Sequence, residues 1–245
     1  MNEREGVRRL ADWLKASERT VFFGGAGIST ESGIPDFRSQ DGLYRQQFPY
    51  PPEVMLSHSF FQQHPEEFFH FYRSRMLYRK ARPNAAHLAL ARLEALGKLR
   101  CVATQNIDGL HQAAGSQRVY ELHGSVLRNR CVRCGKQYPV AAVAEGEGIP
   151  RCACGGIIKP EVVLYEESLP EGAWEGALAE IRRAELLIVG GTSLSVYPAA
   201  SLVSQCPGRI ALINRTPTPY DGEADLVLHA SAGEILAQAV SLVSQ

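Results

Sequence analysis

The sequence lacks net charge and long apolar runs. Its 245 residues contain 26 Lys and Arg and 26 Asp and Glu, so no strong overall field draws the chain to nucleic acid or to acidic membranes. No apolar run reaches the roughly 18 residues of a membrane-spanning helix, and the N-terminal segment MNEREGVRRL has no apolar signal core. We therefore expect a cytoplasmic protein with no membrane partner and no specific nucleic-acid partner.

Six cysteines are present, but a cytoplasmic protein keeps its thiols reduced, so they do not indicate disulfides. Four of them form two close pairs, one with the spacing C-x-x-C and the other C-x-C. Four thiolates in two pairs match tetrahedral zinc and leave no open position for water. We therefore predict a structural Zn²⁺ ion, whose ligands are Cys131, Cys134, Cys152 and Cys154.

Two alternatives remain for these cysteines. They could be free thiols, as we expect for Cys101 and Cys206, which lie in apolar contexts. A zinc ribbon could also bind nucleic acid, and its basic residues permit this, although no series of stacking aromatics accompanies them. Those basic residues are Arg128, Arg130, Arg133 and Lys136.

A dense polar segment, Thr104–Gly124, directly follows the apolar, strand-like run Leu99–Ala103. In open α/β sheets, ligands bind beyond the carboxyl ends of strands. Within the segment, His123 is the side chain best suited to accept a proton near neutral pH. Asn106 and Asp108 can orient a polar ligand. The alternative is a polar turn with a helix-capping aspartate and a structural histidine.

The segment Val21–Arg38, VFFGGAGISTESGIPDFR, places a glycine-rich loop after another apolar strand. Glycines allow a sharp turn and a close approach to a ligand, and a helix N-terminus beyond them favours phosphate. The pattern is weak alone, because Thr30 stands where a dinucleotide fingerprint has its third glycine. The usual acidic residue about twenty positions later is also missing.

Taken together, these segments resemble the sirtuin family of NAD-dependent protein deacylases, and most of all its bacterial branch. The shared motifs run in the family's order across nearly the whole chain. They are GAGIS at Gly25–Ser29, PDFR at Pro35–Arg38, TQNID at Thr104–Asp108, LHG at Leu122–Gly124, the four cysteines, and GTSL at Gly191–Leu194.

The resemblance implies an NAD site with contributions from most of these motifs. In it, Arg38 pairs with a phosphate and Phe37 shields the reactive sugar carbon, although a surface charge and a core aromatic are the alternatives. Asn106 helps to order the ribose. The implied NAD-binding residues are Gly25, Ala26, Gly27, Thr30, Phe37, Arg38, Gln105, Asn106, Ile107, Asp108, His123, Gly191, Thr192, Ser193, Asn214 and Ala232.

The resemblance also implies a reaction in which NAD is consumed. The acyl-lysine oxygen attacks the ribose carbon as nicotinamide leaves. This attack gives an imidate. His123 then takes a proton from a ribose hydroxyl, which attacks the imidate carbon, and water completes the release of lysine and acyl-ADP-ribose. The implied catalytic residues are His123, Asn106 and Asp108. The substrate is an acyl-lysine protein or peptide, held as an added strand by Val162, Val163, Leu164 and Tyr165.

The sequence carries opposing signals on the acyl preference. Tyr72 and Arg75 have the Y-x-x-R spacing of the desuccinylating branch, where Arg pairs with a carboxylate. Asp36 and the segment Gly42-Leu43-Tyr44 resemble the deacetylating branches. We therefore expect deacetylation, with desuccinylation or broader deacylation as the alternative. From a different class, a non-catalytic NAD sensor and a zinc-dependent nucleic-acid binder remain, and ADP-ribosyl transfer to protein is a further possibility.

Apolar strands alternate with helices, which predicts an α/β fold with a Rossmann-like parallel sheet and helices on both faces. A small zinc-ribbon and helical module is inserted. We assign residues 1–38, 83–126 and 159–245 to the NAD-binding domain, 39–82 to a cofactor loop and helical module, and 127–158 to the zinc ribbon. One departure from the family is Tyr165-Glu166-Glu167, where sirtuins commonly have Phe-Gly-Glu.

Overall fold

A parallel sheet of six strands forms the centre of the fold in the computed structural model, which describes residues 2–37, 42 and 48–243. The strand order is β3-β2-β1-β7-β8-β9. The strands are β1 Thr20–Gly24, β2 Cys101–Thr104, β3 Val119–Glu121, β7 Leu186–Gly190, β8 Arg209–Ile213 and β9 Leu226–Leu228. β1, β2 and β7 are buried along their whole length, as expected for parallel strands covered on both faces.

Helices cover both faces of this sheet, as the sequence predicts. One face packs against α1 (Glu3–Ala16), α5 (Ala85–Ala95) and α9 (Ala232–Val243). The other packs against α8 (Glu171–Ile181) and the 3-10 helix Ala199–Gln205. The fold class is therefore confirmed as α/β with a Rossmann-like sheet.

A smaller unit combines short helices with a second sheet. Its antiparallel strands follow the order β5-β4-β6, and its helices and this sheet share one hydrophobic core. The strands are β4 Gly124–Cys131, β5 Gln137–Pro139 and β6 Ile158–Val162, and the helices are α2 Pro52–Met55, α3 His58–Gln63, α4 Pro65–Arg75 and α7 Ala141–Ala144. β4 and β6 cross the proposed boundaries at 126/127 and 158/159, so the division into domains stays a prediction.

One local expectation differs from the structure. The chain beyond the glycine loop forms two 3-10 turns, Ala26–Ile28 and Thr30–Ser32, instead of a regular helix. The second turn ends at Gly33, whose φ of 80° is left-handed. The polar segment Thr104–Gly124 also contains α6 (Leu110–Ala113) and β3, which extends the sheet beside β2. Among the described residues, no helix is long and apolar enough to cross a membrane.

Gly124 is the point at which the chain leaves the main sheet and enters β4. Its φ is +75°, and a Cβ at this position would lie 1.9 Å from the carbonyl oxygen of Glu161 on β6. The pairing of β4 with β6 starts here, with Gly124 opposite Val162. Only a residue without a side chain allows the two strands to approach this closely.

We predict that Gly124→Ala lowers the free energy of unfolding by about 3 kcal/mol, because a left-handed alanine adds to a steric clash. Urea denaturation measures this loss. Gly97→Ala is the matched control: Gly97 has φ +70°, but a Cβ there would meet no heavy atom within 4 Å, so its loss should be about 1 kcal/mol. Equal losses in the two variants would show that the contact with Glu161 is unimportant.

Candidate active site

The site lies at the carboxyl ends of β1, β2 and β7, where the order of the main sheet reverses. β2 and β3 extend from one side of β1, and β7, β8 and β9 extend from the other. The connections that follow β1 and β7 therefore leave the sheet in different directions and open a crevice. The polar loops predicted from the sequence end at this crevice.

The glycine loops after β1 and β7 are bonded to each other through their backbones. The N–H of Gly25 donates to the carbonyl of Gly190 at 3.2 Å, and that of Gly27 donates to Gly191 at 2.8 Å. A Cβ at Gly27 would lie 2.8 Å from the Cα and oxygen of Gly191. The absence of side chains lets the two loops form one continuous floor for a ligand.

A hydrogen-bonded network joins the first loop to the polar segment after β2. The hydroxyl of Ser29 donates to Asp108 Oδ2 at 2.6 Å and accepts from Asn106 Nδ2 at 3.0 Å. Asp108 Oδ1 also accepts from the N–H of Leu110. Burial raises the pKa of the Asp108 carboxyl, and the bonds from Ser29 and Leu110 oppose that shift. The network fixes the orientation of the Asn106 and Asp108 side chains.

Ser29 lines the site, but the sequence pattern did not identify it as a candidate residue, although it ends the GAGIS motif. It is almost fully buried, at 1% exposure, and its partner Asp108 is 79 positions away in the chain. The only signal in the sequence was its place in the motif, because a contact this distant depends on the tertiary fold.

His123 lies beside this network with one ring nitrogen already bonded. Its Nδ1 is 3.0 Å from the carbonyl oxygen of Gln105, and since a carbonyl only accepts, Nδ1 must carry the proton. In the neutral ring Nε2 is then a free base. Burial lowers the pKa of His123 from its ordinary value, and the bond to Gln105 opposes this shift. The imidazole is therefore neutral at physiological pH.

One cavity of about 1200 Å³ gathers the predicted residues. Every described residue predicted to bind NAD lines it, from the first glycine loop to Asn214 and Ala232, and so do Val162, Val163, Leu164 and Tyr165. Gln105 also bridges the two sides of the crevice, because its Nε2 donates to Thr192 Oγ1 at 3.0 Å. Arg38 lies outside the described residues.

The segment Val162–Tyr165 is an irregular edge whose N–H groups are largely used within the chain. The N–H of Val163 donates to the carbonyl of His123, that of Leu164 to the Glu167 carboxylate, and that of Tyr165 to Leu56. Glu166, in the place of the family's glycine, adopts φ +75°. Its carboxylate accepts from the N–H and hydroxyl of Ser59, which holds this unusual backbone.

Tyr72 and Arg75 do not form a pair in the cavity. Arg75 lines it, but Tyr72 does not. Tyr72 is fully buried in the aromatic core of α4, stacked on Phe68 at 5.8 Å between ring centroids. Its hydroxyl is enclosed, and burial raises its pKa. Arg75 instead lies 5.5 Å from the ring of Phe48.

The four predicted metal ligands converge in the small unit. Their sulfur atoms all lie within 4.8 Å of one another, and the pairs Cys131–Cys154 and Cys134–Cys152 are 3.5 and 3.6 Å apart. Zinc with Zn–S bonds of about 2.3 Å requires sulfur separations near 3.8 Å in a tetrahedron. The donor set therefore fits zinc with four protein ligands.

Comparisons with known proteins agree with this geometry. The Sir2 family model matches residues 25–198. A protein of Cutibacterium acnes named NAD-dependent protein deacetylase is 57% identical and covers 93% of this chain and 95% of its own length. One of Clostridium acetobutylicum with the same name is 54% identical, with coverages of 94% and 96%.

A solved structure described as a Sir2–p53 peptide–NAD⁺ complex superposes with a TM-score of 0.86 at 40% identity, and the match covers 98% of each chain. Together, a family model that spans most of the chain, relatives above 50% identity and a shared fold leave one conclusion. The chain belongs to the Sir2 family.

Proposed function

We propose that this protein is an NAD-dependent protein-lysine deacetylase, which transfers the acetyl group of acetyl-lysine to ADP-ribose and releases nicotinamide. One observation carries the proposal: a histidine whose Nε2 is unprotonated lines the same cavity as the floor formed by the two glycine loops and the Ser29–Asn106–Asp108 network. The names of the relatives, NAD-dependent protein deacetylase, support the same activity.

NAD would lie across the crevice with its two ends in different surroundings. We assign the phosphates to the floor formed by Gly25, Ala26 and Gly27, with Thr30 lining the same cavity. The family resemblance assigns a phosphate contact to Arg38 and the shielding of the reactive sugar carbon to Phe37. The adenosine end would occupy the far half of the cavity. The residues of that half are Gly191, Thr192, Ser193, Asn214 and Ala232.

The nicotinamide end would lie in the pocket of Gln105, Ile107 and Asp108, beside Asn106. When bound, NAD supplies an electrophilic ribose carbon at the point where nicotinamide departs. The buried Ser29 network holds Asn106 and Asp108 rigid, so these groups are oriented before the substrate arrives. Such preorganisation avoids a reorganisation cost during the reaction.

His123 serves as the general base. Its Nε2 takes a proton from a ribose hydroxyl, while the Gln105 carbonyl, bonded to Nδ1–H, steadies the imidazolium that forms. Because burial lowers the pKa of His123, Nε2 stays unprotonated to a lower pH than in an ordinary histidine. Activity should then fall only when the pH drops through this lowered pKa.

The acyl-lysine peptide would run along Val162–Tyr165 and insert its modified side chain toward His123. Since three N–H groups of this segment are already bonded within the chain, side chains and carbonyl groups must provide much of the recognition. The hydrogen bond from the Val163 N–H to the carbonyl oxygen of His123 holds the segment Val162–Tyr165 beside the proposed base.

Removal of uncharged acyl groups is favoured over desuccinylation. A succinyl carboxylate would require Arg75 together with the Tyr72 hydroxyl, and Tyr72 is enclosed in the core. The runner-up activity, desuccinylation, would therefore need a rearrangement of α4.

Zinc would be structural, held by Cys131, Cys134, Cys152 and Cys154, with no open position for substrate. Cys131 and Cys152 belong to the same core as the aromatic helices α3 and α4, so loss of the metal should loosen the whole small unit. We further propose a cytoplasmic site of action, where thiolate ligands stay reduced. We expect no specific nucleic-acid partner.

We predict that His123→Ala lowers kcat/KM for acetyl-peptide by at least about 100-fold, as expected for loss of a general base, while NAD still binds. Liquid chromatography of nicotinamide and mass spectrometry of acetyl-ADP-ribose measure turnover, and calorimetry measures NAD binding. His70→Ala, an exposed histidine on α4, is the control and should retain activity.

The pH dependence of kcat/KM provides a second test of the role of His123. In the wild type, the acid limb of kcat/KM should have its midpoint below about 6.5, the ordinary histidine pKa, because burial lowers the pKa of His123. The limb should disappear from the residual activity of His123→Ala. An NAD-binding protein that releases no nicotinamide with any acyl-peptide would instead be a sensor, and the proposed function would fail.

We predict one zinc ion per chain, measurable by mass spectrometry of the purified protein. Cys154→Ser should reduce the zinc content and impair folding, because structural zinc contributes folding energy directly. Cys206→Ser is the matched control, since Cys206 lies outside the cluster, and it should keep the full zinc content. A metal-free wild type that remains stable and active would refute the zinc assignment.

We predict that Arg75→Met leaves kcat/KM for acetyl-peptide within about twofold of wild type, because neither the reacting atoms nor the small acetyl group needs its charge. Matched acetyl- and succinyl-peptides provide the comparison. A wild type that prefers the succinyl-peptide tenfold, about 1.4 kcal/mol in transition-state binding, and loses this preference in Arg75→Met, would establish the desuccinylase alternative.

A further inference from the structure

A second cavity, of about 430 Å³, adjoins the proposed peptide segment. We call it the flanking pocket and define it by Tyr50, Glu53, Phe60, His64, Tyr165 and Glu166. Tyr165 and Glu166 line both this pocket and the main cavity. A peptide that places its acyl-lysine in the main cavity along Val162–Tyr165 therefore brings a neighbouring residue to the flanking pocket.

Two carboxylates dominate the charge of the flanking pocket. Glu53 and Glu166 line it, and no lysine or arginine is among its described lining residues. Both glutamates are exposed. The hydroxyl and N–H of Ser59 bond to Glu166 and lower the pKa of its carboxyl, so this group stays ionised at neutral pH. His64, which also lines the pocket, has its Nδ1 3.8 Å from Glu67 outside the pocket.

Aromatic rings line the same pocket. The rings of Tyr50 and Phe60 are 5.3 Å apart in an edge-to-face arrangement, and Phe60 and His64 are 5.0 Å apart. Tyr50 and Tyr165 are 45% and 40% exposed, so their surfaces are accessible to a ligand. Aromatic faces attract cations, and they also cover the methylene groups of a long side chain.

One residue that lines the flanking pocket, Glu166, departs from the family pattern. Glu166 occupies the position of the glycine in the family's Phe-Gly-Glu, and it keeps a left-handed backbone despite having a side chain. Its carboxylate is thereby held at the boundary of the two cavities by the N-terminal turn of α3. A glycine at this position would provide no charge.

We propose that the flanking pocket binds a lysine or arginine side chain of the substrate, located within a few residues of the acyl-lysine, and that Glu53 and Glu166 select for it. The inference rests on the proposed function, because the occupant belongs to the acyl-peptide. It goes further by naming the residues of this chain that choose between substrate sequences.

The test uses acetyl-lysine peptides that carry arginine, norleucine or glutamate at each neighbouring position in turn. At one position, the wild type should prefer arginine to norleucine by about three- to tenfold in kcat/KM, the effect of a partly exposed charge pair with aromatic contacts. The preference should decline as salt is added, because both carboxylates are exposed to solvent.

Two variants connect the preference to the pocket. Glu53→Gln should reduce the ratio of arginine to norleucine toward one, and Glu53→Lys should favour the glutamate peptide. Glu166→Gln keeps an oxygen that can accept from Ser59, so the backbone should survive while the charge is lost. Glu66→Gln, at an exposed position on α4 outside both cavities, is the matched control and should retain the wild-type ratio.

The outcomes separate the two proposals. Turnover of the norleucine peptides with no preference for arginine at any position would overturn the flanking pocket but leave the deacetylase intact. A preference for arginine that persists in the double variant Glu53→Gln and Glu166→Gln would also overturn the proposed role of the flanking pocket. Failure to deacetylate any peptide would overturn the proposed function and this inference together.

Discussion

The close contact between the glycine loops that follow β1 and β7 is the constraint on which the site depends. Gly27 donates to Gly191 at 2.8 Å, and a methyl group at Gly27 would meet the Gly191 backbone at the same distance. The strands on either side of this contact belong to different halves of the sheet. A side chain at this point would separate the halves, widen the crevice and displace the residues that follow each loop.

The position of His123, the proposed base, follows from a second constraint, which is the connection between the main sheet and the small unit. His123 immediately precedes Gly124, whose left-handed backbone starts the pairing of β4 with β6. The His123 ring is bonded to Gln105 after β2, while its carbonyl accepts from Val163 after β6. The side chain of His123 is thus bonded to the segment proposed to bind the cofactor, and its backbone is bonded to the segment proposed to bind the peptide.

The sequence predicts those features that depend on local pattern or on family motifs. Apolar runs identify the central strands, and the described motif residues do line one cavity. It does not predict the Ser29–Asp108 bond, because these residues are far apart in the chain. The spacing of Tyr72 and Arg75 places both side chains on roughly one side of a helix. In the structure, however, Tyr72 is buried in an aromatic core, while Arg75 lines the cavity. The sequence does not predict this difference, because it depends on how the helix packs.

The arrangement of the hydrophobic cores connects the small inserted unit to the segment proposed to bind the peptide. Two cores cover the faces of the main sheet, and a third joins the helices α2, α3 and α4 to the cysteine-rich sheet. This third core supports the peptide segment, since Leu164 and Val162 belong to it and Tyr165 is bonded on both sides to Leu56 and His58. The aromatic residues and the cysteines therefore stabilise the same surface. If the proposed function holds, differences in that surface, such as Glu166 in place of glycine, would alter substrate choice without disturbing the parallel sheet or His123.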